Sequence, residues 1–114
     1  MKTFLSISCL VLAVALASCR STTNDAALEA CRIPGIEREI KCGTVRMPED
    51  PDSPASRTID VRFAIVPAVA RNKQPDPVFV FAGGPGQAAT SVARQVMPVL
   101  AELNARRDLV FIDQ

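Results

Sequence analysis

The chain has no histidine, no tryptophan and no tyrosine; its aromatic residues are five phenylalanines. Without histidine, no Ser-His-Asp or Cys-His catalytic set can be assembled from these residues alone. The commonest metal ligand is missing too, so no metal centre and no cofactor are expected. Nor is there an excess of charge of one sign: 13 Lys+Arg meet 12 Asp+Glu, for a formal net charge of +1. Nucleic acid needs a clustered basic surface, so no nucleic-acid partner is expected. A length of 114 residues allows one small domain at most. The main apolar stretch, Phe4 to Leu16, falls short of the roughly 20 residues that span a bilayer.

What is present begins with an export signal. Met1-Lys2-Thr3 followed by that apolar stretch fits a secretory signal peptide. Leu16-Ala17-Ser18-Cys19 resembles the lipobox of bacterial lipoproteins. The resemblance implies that residues 1–18 are removed and that Cys19 carries a diacylglyceryl thioether. The plainer alternative is an ordinary signal peptide with a coincidental cysteine. Arg20, where an inner-membrane retention signal would have Asp, suggests outer-membrane sorting. The expectation is an exported lipoprotein on the periplasmic side, touching the membrane through its lipid. Residues 19–30 are small and polar and read as a tether, with the domain at 31–114.

Four cysteines occur. Cys9 would leave with the signal peptide and Cys19 would take the lipid. Cys31 and Cys42 remain, an even pair in an oxidising compartment. They are expected to form a disulfide closing a loop of about a dozen residues, worth about 3 kcal/mol on the chain-entropy account. Two buried free thiols are the alternative.

Residues 36–47 alternate partly and predict a half-exposed strand, bent near Gly43. Pro48 to Pro54 is turn-rich. Residues 58–66 alternate well, with Ile59, Val61, Phe63 and Ile65 on one face, and predict an antiparallel partner for the first strand. After a polar loop, Val78 to Ala82 is continuously apolar, as suits a strand covered on both faces. Gly83-Gly84-Pro85-Gly86-Gln87 follows. A helix is then predicted to about Ala105, with Val92, Val96, Val99, Leu100 and Leu103 on one side. Pro98 should kink or break it. Arg106 and Arg107 suit its negative end. Residues 108–114 predict a last strand, so the closing elements form a βαβ unit.

Three readings compete for the glycine turn. Gly84-Pro85-Gly86-Gln87-Ala88-Ala89 matches the dinucleotide fingerprint G-x-G-x-x-A, with Asp113 ending the next strand. Against it stand the prolyl nitrogen between the glycines, the two preceding antiparallel strands and the export signal. A purely structural strand-to-helix turn is the second reading.

The third is a resemblance. Ala82-Gly83-Gly84-Pro85-Gly86-Gln87 resembles the HGGPG oxyanion loop of α/β-hydrolase peptidases, the proline iminopeptidase and tripeptidyl aminopeptidase group. Arg107-Asp108-Leu109-Val110-Phe111-Ile112-Asp113-Gln114 and Cys42-Gly43-Thr44-Val45-Arg46-Met47-Pro48-Glu49-Asp50 are similar to two further landmarks of that group, in the right order. The resemblance implies an α/β fold: the N-terminal part of an α/β-hydrolase sheet, strands 1 to 4 and the first helix, incomplete. The family's strand order begins 1-2-4-3. It implies that the Gly84 N–H is one oxyanion donor, held by Gly83, Pro85 and Gly86. Ala82 stands where the family's leading histidine falls. No G-x-S-x-G elbow, triad acid or triad histidine occurs, so no catalytic residue is assigned. Ser53, Ser56 and Ser91 lie in no elbow; Ser91 is expected to cap the helix N-terminus instead.

The function implied is the N-terminal portion of an exported serine aminopeptidase, inactive alone, whose intact relative takes peptide substrates. The alternative is a small lipid-anchored lipoprotein that binds a partner or ligand without enzymatic activity. On the first reading the third strand is left as a raw apolar edge, and the chain alone should be unstable or aggregate.

Overall fold

The computed structural model describes residues 26–114. The expected signal peptide at 1–18, the expected lipidation at Cys19 and the first part of the expected tether lie outside the described residues.

Five strands and one helix form an open α/β-type domain. They are β1 (Glu29–Cys31), β2 (Ile40–Pro48), β3 (Thr58–Val66), β4 (Val78–Phe81), α1 (Ala89–Arg106) and β5 (Leu109–Ile112). The sheet order is β1-β2-β3-β5-β4. The pairings β1–β2, β2–β3 and β3–β5 are antiparallel, and β4–β5 is parallel. The long pairing of β2 with β3 runs from Lys41 opposite Ile65 to Pro48 opposite Thr58.

β1 is an addition to the sequence reading, which placed residues 29 and 30 in the tether. Three residues carry no alternation to detect. The strand is defined by its register on β2, with Cys31 opposite Ile40, and by the disulfide beside it. Residues 36–39, predicted as strand, belong instead to the loop from β1 to β2. Ile36 there is buried in the core.

The two faces of the sheet differ. The alternation of Ile59, Val61, Phe63 and Ile65 is real, yet α1 lies over the opposite face. Ala64 and Val66 are fully buried there, as are Ile40, Leu109 and Phe111. The other face stays open: Val45, Met47, Val61, Phe63, Phe79 and Val110 lead the lining of an apolar trough of about 330 Å³. Phe79 and Phe81 keep more than half of their surface exposed. The continuous apolar run at β4 therefore marks a strand covered on one face only among the described residues.

Helix α1 runs unbroken through Pro98, so of the kink or break expected there the break does not occur. Its buried positions are Ala89, Ala93 and Asn104, with Val96, Met97 and Leu100 packed beside them. Val99 and Leu103, expected inside, face outwards. Small alanines let the helix approach the sheet closely, which rotates the larger side chains to its flanks.

The carboxyl end of α1 is satisfied by backbone. Val69, Ala70 and Gln74 donate N–H groups to the carbonyls of Asn104, Ala105 and Arg106, at 3.0, 2.9 and 2.8 Å. Arg107 N–H donates to Leu103 O at 2.9 Å. The loop after β3 thus fills three of the four carbonyls that a helix leaves unpaired, and the C-cap Arg107 fills the fourth. Asn104, itself buried, adds a lock: Nδ2 donates to the carbonyls of Val66, Pro67 and Arg107 at 3.3, 3.1 and 3.0 Å. Its Oδ1 accepts from Arg38.

Asn104→Ala removes the donor from three carbonyls and leaves Arg38 unpaired. The expected loss is about 3 kcal/mol, the scale of stripping partners from buried polar groups. Urea unfolding at submicromolar concentration checks it; an unmoved midpoint would mean that the network is ornamental.

Candidate functional site

The glycine turn leaves the carboxyl end of β4 and enters α1. Gly84 and Gly86 sit at φ of +80° and +83°. A side chain there would strain the backbone, so both glycines are required by conformation. Gly83 has neither a positive φ nor any atom within 4 Å of where a Cβ would stand. Residues 83–87 are exposed. The only backbone bond within the turn is Gln87 N–H to Gly84 O, at 3.3 Å. No described residue accepts from the N–H of Gly83, Gly84 or Gly86. The turn therefore offers free backbone donors at the end of a parallel strand, beside a helix N-terminus. Ligands of open α/β sheets are bound in that kind of place.

The helix N-terminus is already occupied. Asp113, just beyond β5, accepts from Thr90 N–H at 2.9 Å through Oδ1 and from Thr90 Oγ1 at 2.8 Å through Oδ2. Its own N–H donates to Arg62 O at 2.9 Å. A carboxylate thus satisfies one of the orphan N–H groups of the first turn and complements the positive end of the dipole. This arrangement removes the dinucleotide reading. The pyrophosphate of that motif needs the same helix end, and would meet a fixed negative charge there. Ser91 does not cap: its Oγ donates to Ala88 O at 2.6 Å, so the hydroxyl turns back on the preceding turn. The cap comes from the far end of the βαβ unit, where sequence offered no local sign of it.

Asp113 and Thr90 also border a cleft of about 450 Å³ at this end of the sheet. The β2–β3 hairpin runs past the ends of β4 and β5 and contributes Thr44 and Arg62 to it. Glu29 and Ile33, from β1 and the loop after it, also line it. Ser53 and Ser56 lie in the hairpin turn. Ser56 Oγ accepts from Asp50 N–H at 3.1 Å, and Glu49 pairs with Arg57 next to it at 2.7 Å. Neither serine is presented as a nucleophile.

Cys31 and Cys42 form the expected disulfide, with S–S at 2.02 Å and Cα atoms 5.8 Å apart. At the other end of the domain, burial alone would raise Asp108. Hydrogen bonds from Lys73 and from Ala68 N–H outweigh that and hold its carboxyl below the usual range. Asp76 is lowered by its hydrogen bond from Arg107. These pairs tie the loop after β3 to the foot of α1 and are remote from the glycine turn in the fold.

Among the described residues no group of three His, Cys, Asp or Glu could hold a metal ion. None of the described helices is long and apolar enough to cross a membrane. The fold and the turn define a class: an open, mixed α/β-type sheet with a glycine loop at the carboxyl end of a parallel strand. No protein-family model matches the chain, and no curated protein matches it.

Asp113→Ala should cost about 1–2 kcal/mol, the scale of a lost helix cap. Amide exchange should quicken at residues 89–92 first. Wild-type protection there would show that the carboxylate is dispensable.

Proposed function

We propose that residues 31–114 are the N-terminal portion of an exported, lipid-anchored serine peptidase of the α/β-hydrolase fold. The group is that of the proline iminopeptidases and tripeptidyl aminopeptidases. The intact relative would release amino acids or short peptides from peptide N-termini. This portion contributes the oxyanion loop, Gly83 to Gly86, and no nucleophile, acid or histidine.

The observation that carries the reading is the loop in its sheet context. Two positive-φ glycines follow β4 and precede α1. The strands β2, β3, β4 and β5, numbered 1 to 4, lie in the order 1-2-4-3, which agrees with the order the resemblance implies. In acyl transfer a negative oxygen develops on the tetrahedral intermediate. Preorganised N–H donors stabilise it without reorganising. The unpaired Gly84 N–H suits that task. The second donor of such a site follows the nucleophile, so these residues alone have half an oxyanion hole. Export is supported by the Met1 to Leu16 pattern, anchoring by the Leu16 to Cys19 lipobox, and both agree with a disulfide at Cys31–Cys42.

A second reading rests on the uncovered parts of the sheet. Edge strand β4 is uncharged and shows Phe79 and Phe81 to solvent. A lipid-anchored binding protein could complete that edge with a strand of another chain.

The DNA after codon 114 separates the two. A continuation encoding Arg-Gly-x-Gly-x-Ser and then G-x-S-x-G supports the peptidase reading; a stop codon in every frame, with no such remainder, sinks it. The chain itself should release no nitroaniline from aminoacyl- or tripeptidyl-nitroanilides. Turnover above background would mean a mechanism outside the triad logic.

The uncovered edge and trough also predict self-association. Light scattering at micromolar concentration should detect oligomers or aggregates of residues 20–114. A soluble monomer with a sharp cooperative melt would contradict this.

A further inference from the structure

Residues 32–39 join β1 to β2, and the Cys31–Cys42 disulfide closes their base. This loop is laid along the flank of α1. Gly35, at φ of +86°, packs on the side-chain stem of Arg94, with no room for a Cβ. Arg38 bonds Asn104. Those two helix residues are ten apart in sequence, or about 15 Å along the helix. Between these contacts Ile36 enters the core, as Ile33 does near the base of the loop. The loop is folded on itself by Ile36 N–H to Ile33 O at 3.0 Å and by Arg32 to Glu37 O at 3.2 Å.

Besides the disulfide, this segment is held by the burial of Ile33 and Ile36, by Gly35 on Arg94 and by the Arg38–Asn104 bond. β1 pairs over three residues, of which Glu29 and Ala30 are exposed. Ile33 and Ile36 are two of the nine core residues; the other seven come from the longer strands and α1. Asp113 and the loop after β3 hold the two ends of α1. The segment also lines the cleft, through Glu29 and Ile33, and Cys42 itself borders that cleft. A reductant entering there meets the disulfide.

We propose that Cys31–Cys42 is a redox latch on this strap. A dithiol carrier attacks Cys42 Sγ with one thiolate, forming a mixed disulfide and releasing the Cys31 thiolate. The second thiol of the carrier then displaces the Cys42 thiolate. The carrier ends as a disulfide, two electrons pass to the protein, and solvent protonates the two thiolates. With the loop no longer closed, ordering all of β1 and residues 32–39 costs more conformational entropy than two isoleucines and the Arg38–Asn104 bond return. The strap leaves α1, and the cleft opens on its Glu29–Ile33 side. The sheet from β2 to β4 and the glycine turn stay in place.

Hydrogen–deuterium exchange on the full chain in detergent micelles, with and without dithiothreitol, tests the latch. Reduction should quicken exchange in residues 29–39 at least ten-fold and leave 63–66 and 109–112 within two-fold. The double variant C31S/C42S should show the reduced pattern without reductant. Unchanged protection at 29–39 overturns the proposal. So does an equal loss across the whole sheet, which would make the disulfide a global brace. Should the double variant fail to accumulate, the reduced natural chain gives the same decision.

Discussion

Helix α1 rests on the sheet through two alanines, Ala89 and Ala93, and is pinned at both ends by groups that are not its own. The carboxylate of Asp113 holds its first turn, and the loop after β3 supplies N–H groups to its last carbonyls. Both clamps come from chain segments that flank the parallel pair β4–β5. That double clamp sets the distance and direction from the end of β4 to the start of α1. The turn between them must cover a short span with a reversal, and Gly84 and Gly86 supply the positive φ that this requires. The exposed N–H groups of the turn follow from the same geometry.

The second consequence is asymmetry. One helix and one strap cover one face of five strands, and the described residues leave the other face open. Residues that alternate into that face, among them Val61, Phe63 and Ile112, are apolar without being buried. Gly43 shows how close the packing is even there: the Phe63 ring lies where its Cβ would be. Phenylalanine over glycine across the β2–β3 pair restores cover to a position with no side chain of its own.

Much of the fold was legible before any coordinates. The alternation at 58–66, the apolar run at 78–81, the glycine turn and the helix behind it lie where pattern predicts. Pairing of the two cysteines followed from counting. Other features were out of reach for physical reasons. β1 is too short to carry a period. The break at Pro98 did not occur, because the packing of α1 and its clamped ends outweigh one missing helical hydrogen bond. Of the side predicted for α1, Val96 and Leu100 pack on the core, whereas Val99 and Leu103 do not, because the close approach of the helix selects alanine at its centre. Asn104 had a faint signal: it falls four residues after Leu100, on the stripe that starts at Ala89 and Ala93.

The sequence by itself determined the local choices: which segments become β2 to β5 and α1, where only glycine can turn, which cysteines can pair, and that no histidine-dependent chemistry arises from these residues. Those are properties of neighbouring residues and of composition. The tertiary structure decided which face of each strand is inside, what caps α1, and what surrounds the glycine loop. Asp113 and Thr90 are 23 residues apart, and Asn104 and Val66 are 38 apart. A hydrogen bond across such a separation leaves no periodic trace in the chain, because it depends on the sheet having first brought the two segments together.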